Sequence, residues 1–206
     1  MEPDIRNLLI DFGGVLVGLD RARCVDRFRQ LGVDEVERLL TDYRQQGFFL
    51  QYELGTVSTD DFRAHIRGLV KGRSLTDAEI DDAWNSFLTG IPHERLSLLL
   101  ELRKRYRVCL LSNTNELHWQ WACVHAFPWE GHGTDDYFDR IYLSYKMHRA
   151  KPDAEMFRLV MADAGMNPAE TFFIDDSAEN CRAARALGVR TYTPEPHEDW
   201  SHLFRD

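Results

Sequence analysis

Five short runs of this chain, at 7–12, 107–112, 140–144, 171–174 and 189–193, are strand-type, and most of them are apolar on both faces. A strand with no polar face must be covered on both sides, which is the condition of a parallel sheet held between two helical layers. The spacing agrees. Helical patterns at 94–105, 154–164 and 178–187 fall among the later strands, and Gly165 and Gly188 stop the last two. Strand and helix in alternation imply an α/β fold, a doubly wound parallel sheet of Rossmann-like form.

Residues 20–89 break that rhythm with four amphipathic helical stretches in succession. The first carries Val25, Phe28 and Leu31, and the second Val36, Leu39, Leu40 and Tyr43. The third opens on a capping box, Ser58 with Asp61, and carries Phe62, Ile66 and Leu69; the fourth opens on Thr76 with Glu79 and carries Ile80, Ala83, Trp84 and Phe87. The chain therefore divides into an α/β core of residues 1–17 and 92–206 and an inserted helical-bundle cap of residues 18–91. Inserted between the first two strands, the cap is expected over the sheet edge where those strands exit, as a candidate lid. Phe48, Phe49 and Tyr52 are placed on a cap loop beginning at Gly47 and read as core, though nearer to a substrate than Trp119, Trp121, Phe127 and Trp129, which read as packing.

The polar residues fall in a pattern. Asp11, Ser112-Asn113, Lys151 and Asp175-Asp176 each follow, closely or after a loop, the carboxyl end of a strand, and in a doubly wound sheet those ends share one crevice. Taken singly, Ser-Asn after a strand is a turn and Asp-Asp-Ser before a helix is an N-cap. Together, three converging carboxylates raise one another's proton affinity unless a cation or a proton is shared. Oxygen donors without His or Cys suit Mg²⁺ rather than zinc.

Charge and composition narrow the partners. The 206 residues carry 25 Lys and Arg against 34 Asp and Glu, a net charge of -9, so the surface repels nucleic acid and anionic lipid. No apolar run approaches a membrane span, and Met1-Glu2-Pro3-Asp4 is no signal-peptide start, which makes a cytoplasmic protein the expectation. Cys24, Cys109, Cys123 and Cys181 are scattered without a CxxC pair and read as reduced structural thiols. GxGxxG and GxxxxGK[ST] are both absent, which leaves nicotinamide and P-loop chemistry without their usual warrant.

Four ordered motifs resemble the haloacid dehalogenase-like hydrolase superfamily over nearly the whole chain: Asp11-Phe12-Gly13-Gly14-Val15-Leu16, then Leu111-Ser112-Asn113-Thr114-Asn115, then Lys151-Pro152-Asp153 with Phe157, then Asp175-Asp176-Ser177 with Asn180. The nearest resemblance is to a phosphatase subgroup whose members include an alpha-D-glucose-1-phosphate phosphatase. The resemblance implies a Mg²⁺-dependent phosphatase of a small phosphorylated metabolite, a sugar phosphate, with a sugar 1-phosphate as the finer reading that the subgroup adds. Asp11 is then the nucleophile, Ser112, Asn113 and Lys151 hold the phosphoryl group, and Mg²⁺ sits on Asp176, an oxygen of Asp11 and the Gly13 carbonyl, with Asp175 as a weaker ligand or supporting acceptor.

One departure matters. Most phosphatases of the superfamily carry a second Asp two places after the nucleophile as general acid/base, and here that place is Gly13. General acid help is typically worth 10²- to 10⁴-fold, so its loss should weigh most on poor leaving groups. His118 and His148 are the alternative proton donors, although His148 also reads as an ordinary solvent-facing loop residue. Two other readings stand beside the phosphatase: a metal-free 2-haloacid dehalogenase, which also lacks the second Asp, and a non-catalytic regulatory relative.

Overall fold

The structure, a computed structural model, describes residues 4–33 and 47–205. Strands β1 (Asn7–Ile10), β2 (Arg107–Ser112), β3 (Arg140–Leu143), β4 (Thr171–Ile174) and β5 (Arg190–Tyr192) form one parallel sheet in the order β3-β2-β1-β4-β5. Asn7 sits opposite Arg107 and Thr171, and Ile10 opposite Leu110 and Ile174, so β1 is central and both its edges are paired.

Side chains alternate across a strand, and here both faces find apolar partners. Leu8, Ile10, Val108, Leu110 and Ile174 pack with Leu96 and Leu99 of α5 (His93–Arg103) and Trp119 and Ala122 of α6 (Glu116–His125). Leu9, Cys109, Leu111 and Phe173 pack instead with Met156, Phe157 and Val160 of α9 (Ala154–Ala164) and Cys181 and Ala184 of α10 (Ala178–Arg185). Two short helices, α7 (Thr134–Tyr137) and α8 (Ser144–Met147), flank β3. Trp119 and Phe127 are buried and Trp121 and Trp129 packed against the same cluster, as their packing role required. The four cysteines are free thiols. Among the described residues no helix is long and apolar enough to cross a membrane.

Element ends shift slightly from expectation. β1 stops at Ile10 because the chain turns at once: the amides of Leu16 and Val17 both return to the Phe12 carbonyl. β3 stops at Leu143 because Ser144 already opens α8.

The inserted helices are α1 (Arg21–Gln30), α2 (Phe48–Glu53), α3 (Thr59–Leu69) and α4 (Asp77–Asn85). Both expected capping boxes are present, Ser58 with Asp61 and Thr76 with Glu79. These helices close around their own apolar cluster, with Cys24, Val25, Phe28, Phe49, Tyr52, Phe62, Ile66, Ile80 and Trp84 buried. A fully buried Phe such as Phe28 or Phe62 contributes on the order of 2 kcal/mol by removal from water. The expected helical stretch at Val36, Leu39, Leu40 and Tyr43 lies outside the described residues. Residues 48–53, expected as loop, are helical, starting from Gly47 with φ at 105°.

Two structural features fasten these helices to the sheet layer. The connecting segments pair side by side: Thr89 N–H donates to Gly18 O at 2.9 Å, Gly18 N–H to Gly90 O at 3.2 Å, and Asp20 N–H to Phe87 O at 2.8 Å. Leu117 of α6 is also buried in the cap cluster, and its amide donates to the Tyr52 hydroxyl at 3.4 Å.

Candidate active site

The carboxyl ends of β1, β2 and β4 bring four sequence motifs together at the crevice of the sheet. Asp11 is the first residue beyond β1, Ser112 is the last of β2, and Asp175 and Asp176 follow β4 directly. Lys151 arrives on the loop between α8 and α9. Its ammonium donates to Asp11 Oδ1 at 2.7 Å, to Asp175 Oδ2 at 2.6 Å and to the Leu111 carbonyl at 2.9 Å, so one buried cation ties three strands' ends to one point.

That arrangement decides the electrostatics. Burial alone would lower the Lys151 pKa, but Asp11 and Asp175 outweigh it and hold the ammonium above its ordinary value, protonated throughout the neutral range. Burial raises the Asp11 pKa well above the usual carboxylate range; Lys151 opposes the rise, and Asp175 and Asp176 add to it. One ammonium is therefore insufficient for three carboxylates. Oxygens of Asp11, Asp175 and Asp176 lie within 4.8 Å of one another, an all-oxygen donor set of the kind a hard divalent cation takes and one that would favour ionised Asp11.

The three acids are not equivalent. Asp175 is fully buried, and its oxygens already accept from Lys151 Nζ, from Ser177 N–H at 2.8 Å and from Asn180 Nδ2 at 3.0 and 3.1 Å. Asp176 is exposed and lines the crevice. Its carboxylate lies so close to Gly14 that a Cβ there would collide with it, and Gly14 also has φ at 76°, a conformation that only glycine adopts readily.

A cavity of about 800 Å³ opens over this point. Asp11, Gly13, Asn113, Thr114, Lys151 and Asp176 line its floor, whereas Ser112 and Asp175 lie behind the lining. Asn113 is braced rather than free: its Oδ1 accepts from Lys151 N–H and its Nδ2 donates to Lys151 O, each at 2.8 Å. What it has left to offer an anion is its second Nδ2 hydrogen and its backbone amide.

Of the two alternative proton donors, His118 lines the same cavity but has both ring nitrogens engaged, and His148 lies outside the lining. His118 is 3% exposed, its Nε2 donates to Trp84 O at 3.1 Å, and its Nδ1 accepts from Asn115 Nδ2 at 3.1 Å. Burial pushes its pKa down to about 4, so near neutrality it holds no spare proton. His148 is exposed, with φ at 53°, and donates to Leu54 O at 2.9 Å. It is more than a solvent-facing loop residue, since it holds the end of α2. Phe49 and Tyr52 are buried in the cap cluster, and the cavity instead receives Leu50 and Glu53 from α2, together with Arg21, Phe87 and Leu88. Sequence reading missed Leu50 and Glu53 because it treated 48–53 as loop, and it placed Phe87 only among the packing residues of the cap. A helical period over FFLQYE places Leu50 and Glu53 three apart on one face.

The comparisons with known proteins fit this geometry. The family model for haloacid dehalogenase-like hydrolases matches residues 5–188. A D-ribitol-5-phosphate phosphatase of Bacteroides thetaiotaomicron is 40% identical over 196 residues, 95% of each chain. The crystal structure of a haloacid dehalogenase family enzyme from the same organism, in complex with magnesium and inorganic phosphate, has a TM-score of 0.93 at 52% identity and covers 98% of this chain and 100% of that one. A predicted family hydrolase from Porphyromonas gingivalis has a TM-score of 0.88 at 37% identity, covering 98% of both chains. These matches span core and inserted helices alike and favour neither the dehalogenase nor the non-catalytic reading, so the chain belongs to the haloacid dehalogenase-like hydrolases and is a phosphatase of that family.

Proposed function

We propose that this phosphatase hydrolyses a small polyhydroxylated phosphomonoester, a sugar or polyol phosphate, through an aspartyl-phosphate on Asp11 with Mg²⁺ as cofactor. The observation that carries the reading is the buried Asp11–Lys151–Asp175 chain of ion pairs under a cavity whose floor also holds Asp176. The ribitol-phosphate specificity of the 40% identical relative supports the polyol, and nothing singles out a sugar 1-phosphate.

Asp11, Asp176 and the Gly13 carbonyl are the groups that would hold Mg²⁺, which when bound supplies charge neutralisation for the transferring phosphoryl oxygens. Lys151 and the backbone donor at Asn113 hold the phosphoryl group, while Lys151 and the Phe12 amide, each 2.7 Å from Asp11 Oδ1, fix the carboxylate's orientation for attack on phosphorus. The P–O bond to the leaving group breaks as the Asp11–phosphorus bond forms, and water then cleaves the acyl phosphate. Asp175 positions Lys151. No carboxylate at Gly13 protonates the leaving oxygen, so solvent or the substrate supplies that proton.

The test is phosphate release from a panel of polyol, sugar and aryl phosphates with Mg²⁺ and with EDTA. Turnover that needs Mg²⁺ and favours polyhydroxylated esters is the expected result; undiminished turnover in EDTA would exclude this mechanism.

A further inference from the structure

One buried hydroxyl that the mechanism leaves unused joins the inserted helices to the loop that follows β2. Ser144 opens α8 directly after β3, and the register of β3 on β2 sets Leu143 opposite Ser112, so Ser144 arrives beside Asn113 and Thr114. It is fully buried. A serine hydroxyl has one proton to give and two lone pairs to receive with. Here Oγ accepts from Thr114 N–H at 2.9 Å, and its proton faces two carbonyls, Glu53 O at 2.7 Å and Thr114 O at 2.9 Å. The nearer acceptor is the last residue of α2, and the other belongs to the cavity floor.

The same loop is held from its other side. The Ser112 hydroxyl donates to Asn113 O at 3.3 Å, so the peptide joining Asn113 to Thr114 has its carbonyl bound by Ser112 and its N–H bound by Ser144. The Asn113 side chain is braced on Lys151, whose ammonium also holds Asp11. With that peptide plane fixed, the donors Asn113 has left for an anion keep one orientation relative to Lys151 and Asp11. Beside Ser144, His148 donates to Leu54 O at 2.9 Å and seats the end of α2 on the same segment. Of these two contacts with α2, the one at Ser144 runs on into the site.

We propose that Ser144 is a positioning residue of this phosphatase: it braces the loop after β2 against the end of α2 and so keeps the donors at Asn113 in register with Asp11. Misplacing a positioning group by about 1 Å can cost about 10²-fold in rate. The loop meets the phosphoryl group, which all substrates share, so the loss on removing the hydroxyl is the same whatever the alcohol and extends to inorganic phosphate. The inference rests on the phosphatase reading above and adds to it a residue that touches neither substrate nor nucleophile.

The experiment compares Ser144→Ala and Ser144→Cys with wild type in the presence of Mg²⁺, by calorimetric titration with inorganic phosphate and by kcat and KM on a five-carbon polyol phosphate and on phenyl phosphate. Ser144→Ala should weaken phosphate binding about tenfold or more and lower kcat/KM by a similar factor on both esters. Ser144→Cys is close in size but a weaker donor and acceptor, and should lose severalfold, less than Ala. A folded Ala variant that binds phosphate as wild type does, whatever its melting temperature, would overturn the inference, because a merely structural hydroxyl changes stability alone. A loss confined to the polyol ester would overturn it too, since Ser144 would then act on the alcohol. If the Ala variant fails to fold, Ser144→Cys decides, and wild-type phosphate affinity in that variant would sink the proposal. Wild-type protein that releases phosphate from neither ester would instead overturn the phosphatase reading, while the phosphate titration would still settle the role of Ser144.

Discussion

The imidazole of His118 lies flat against the indole of Trp84, with ring centroids 4.8 Å apart and planes 10° from parallel, while its Nε2 donates to the Trp84 carbonyl. Asn115 closes the circuit. Its Oδ1 accepts from Trp84 Nε1 at 3.1 Å and its Nδ2 donates to His118 Nδ1, so three buried side chains satisfy one another across the boundary between α4 and α6. A helical layer held this way, with Thr59 bonded to Glu116 as well, is docked rather than loosely hinged. The lid expected from sequence must therefore either stay closed or break a buried network to open.

The first prediction concerns pH. His118 titrates near 6.5 when unfolded and near 4 when folded, so the unfolded chain binds its proton first. Stability from this residue is fully present above about pH 6.5 and is lost as the pH falls toward 4, by an upper limit of about 3 kcal/mol. Urea midpoints measured at pH 7.5, 5.5 and 4.5 should fall more steeply for wild type than for His118→Gln, and parallel slopes would remove His118 from the account.

The proposed nucleophile and metal site give the second. Asp11→Asn preserves size and removes the attacking charge, and should reduce turnover by more than 10³-fold with unchanged thermal unfolding. Asp176→Ala should weaken Mg²⁺ binding, read by calorimetry, by an order of magnitude or more.

Gly14 supplies the third. Gly14→Ala must adopt a positive φ and push against the Asp176 carboxylate. It should cost about 1–2 kcal/mol of stability, and Mg²⁺ affinity should fall with it. Unaltered metal binding in that variant would show that Asp176 tolerates displacement.

A fourth prediction addresses the missing acid. Gly13 has no positive φ, and a Cβ placed there meets only Leu19 methyl and methine carbons at 3.5, 3.6 and 3.9 Å, an ordinary contact distance. Gly13→Asp should therefore fold, and by supplying a proton it should raise kcat severalfold or more for alkyl phosphates and less for aryl phosphates. An equal change on both would show that leaving-group protonation does not limit the enzyme.

The motifs of the floor were legible because each is a short polar break at the end of an apolar strand, a pattern that needs no tertiary information. Asp11, Lys151 and Asp176 meet as that pattern required. Lys151 bridging to a saturated Asp175 was not legible, since nothing in a sequence reveals which carboxylate faces inward. Glu53 and Arg21 come to the cavity from α2 and α1 and Phe87 from the turn after α4, placements that depend on the cap cluster, and α2 was mistaken for loop. Asn115 was visible as part of a motif, but its bond to a tryptophan 31 residues earlier was not.

The paired segments at Gly18 and Gly90 have a consequence for how such a chain can change over time. Because the entrance and exit of the inserted helices lie in adjacent backbone contact, the sheet experiences the whole insertion as one short hairpin, whatever its length. Closing a loop grows costlier only as the logarithm of its length, so helices could be added, removed or exchanged beyond this clasp with little strain on the five strands. The sheet-end floor and the inserted helices above it are in that sense separately heritable, joined at one narrow crossing.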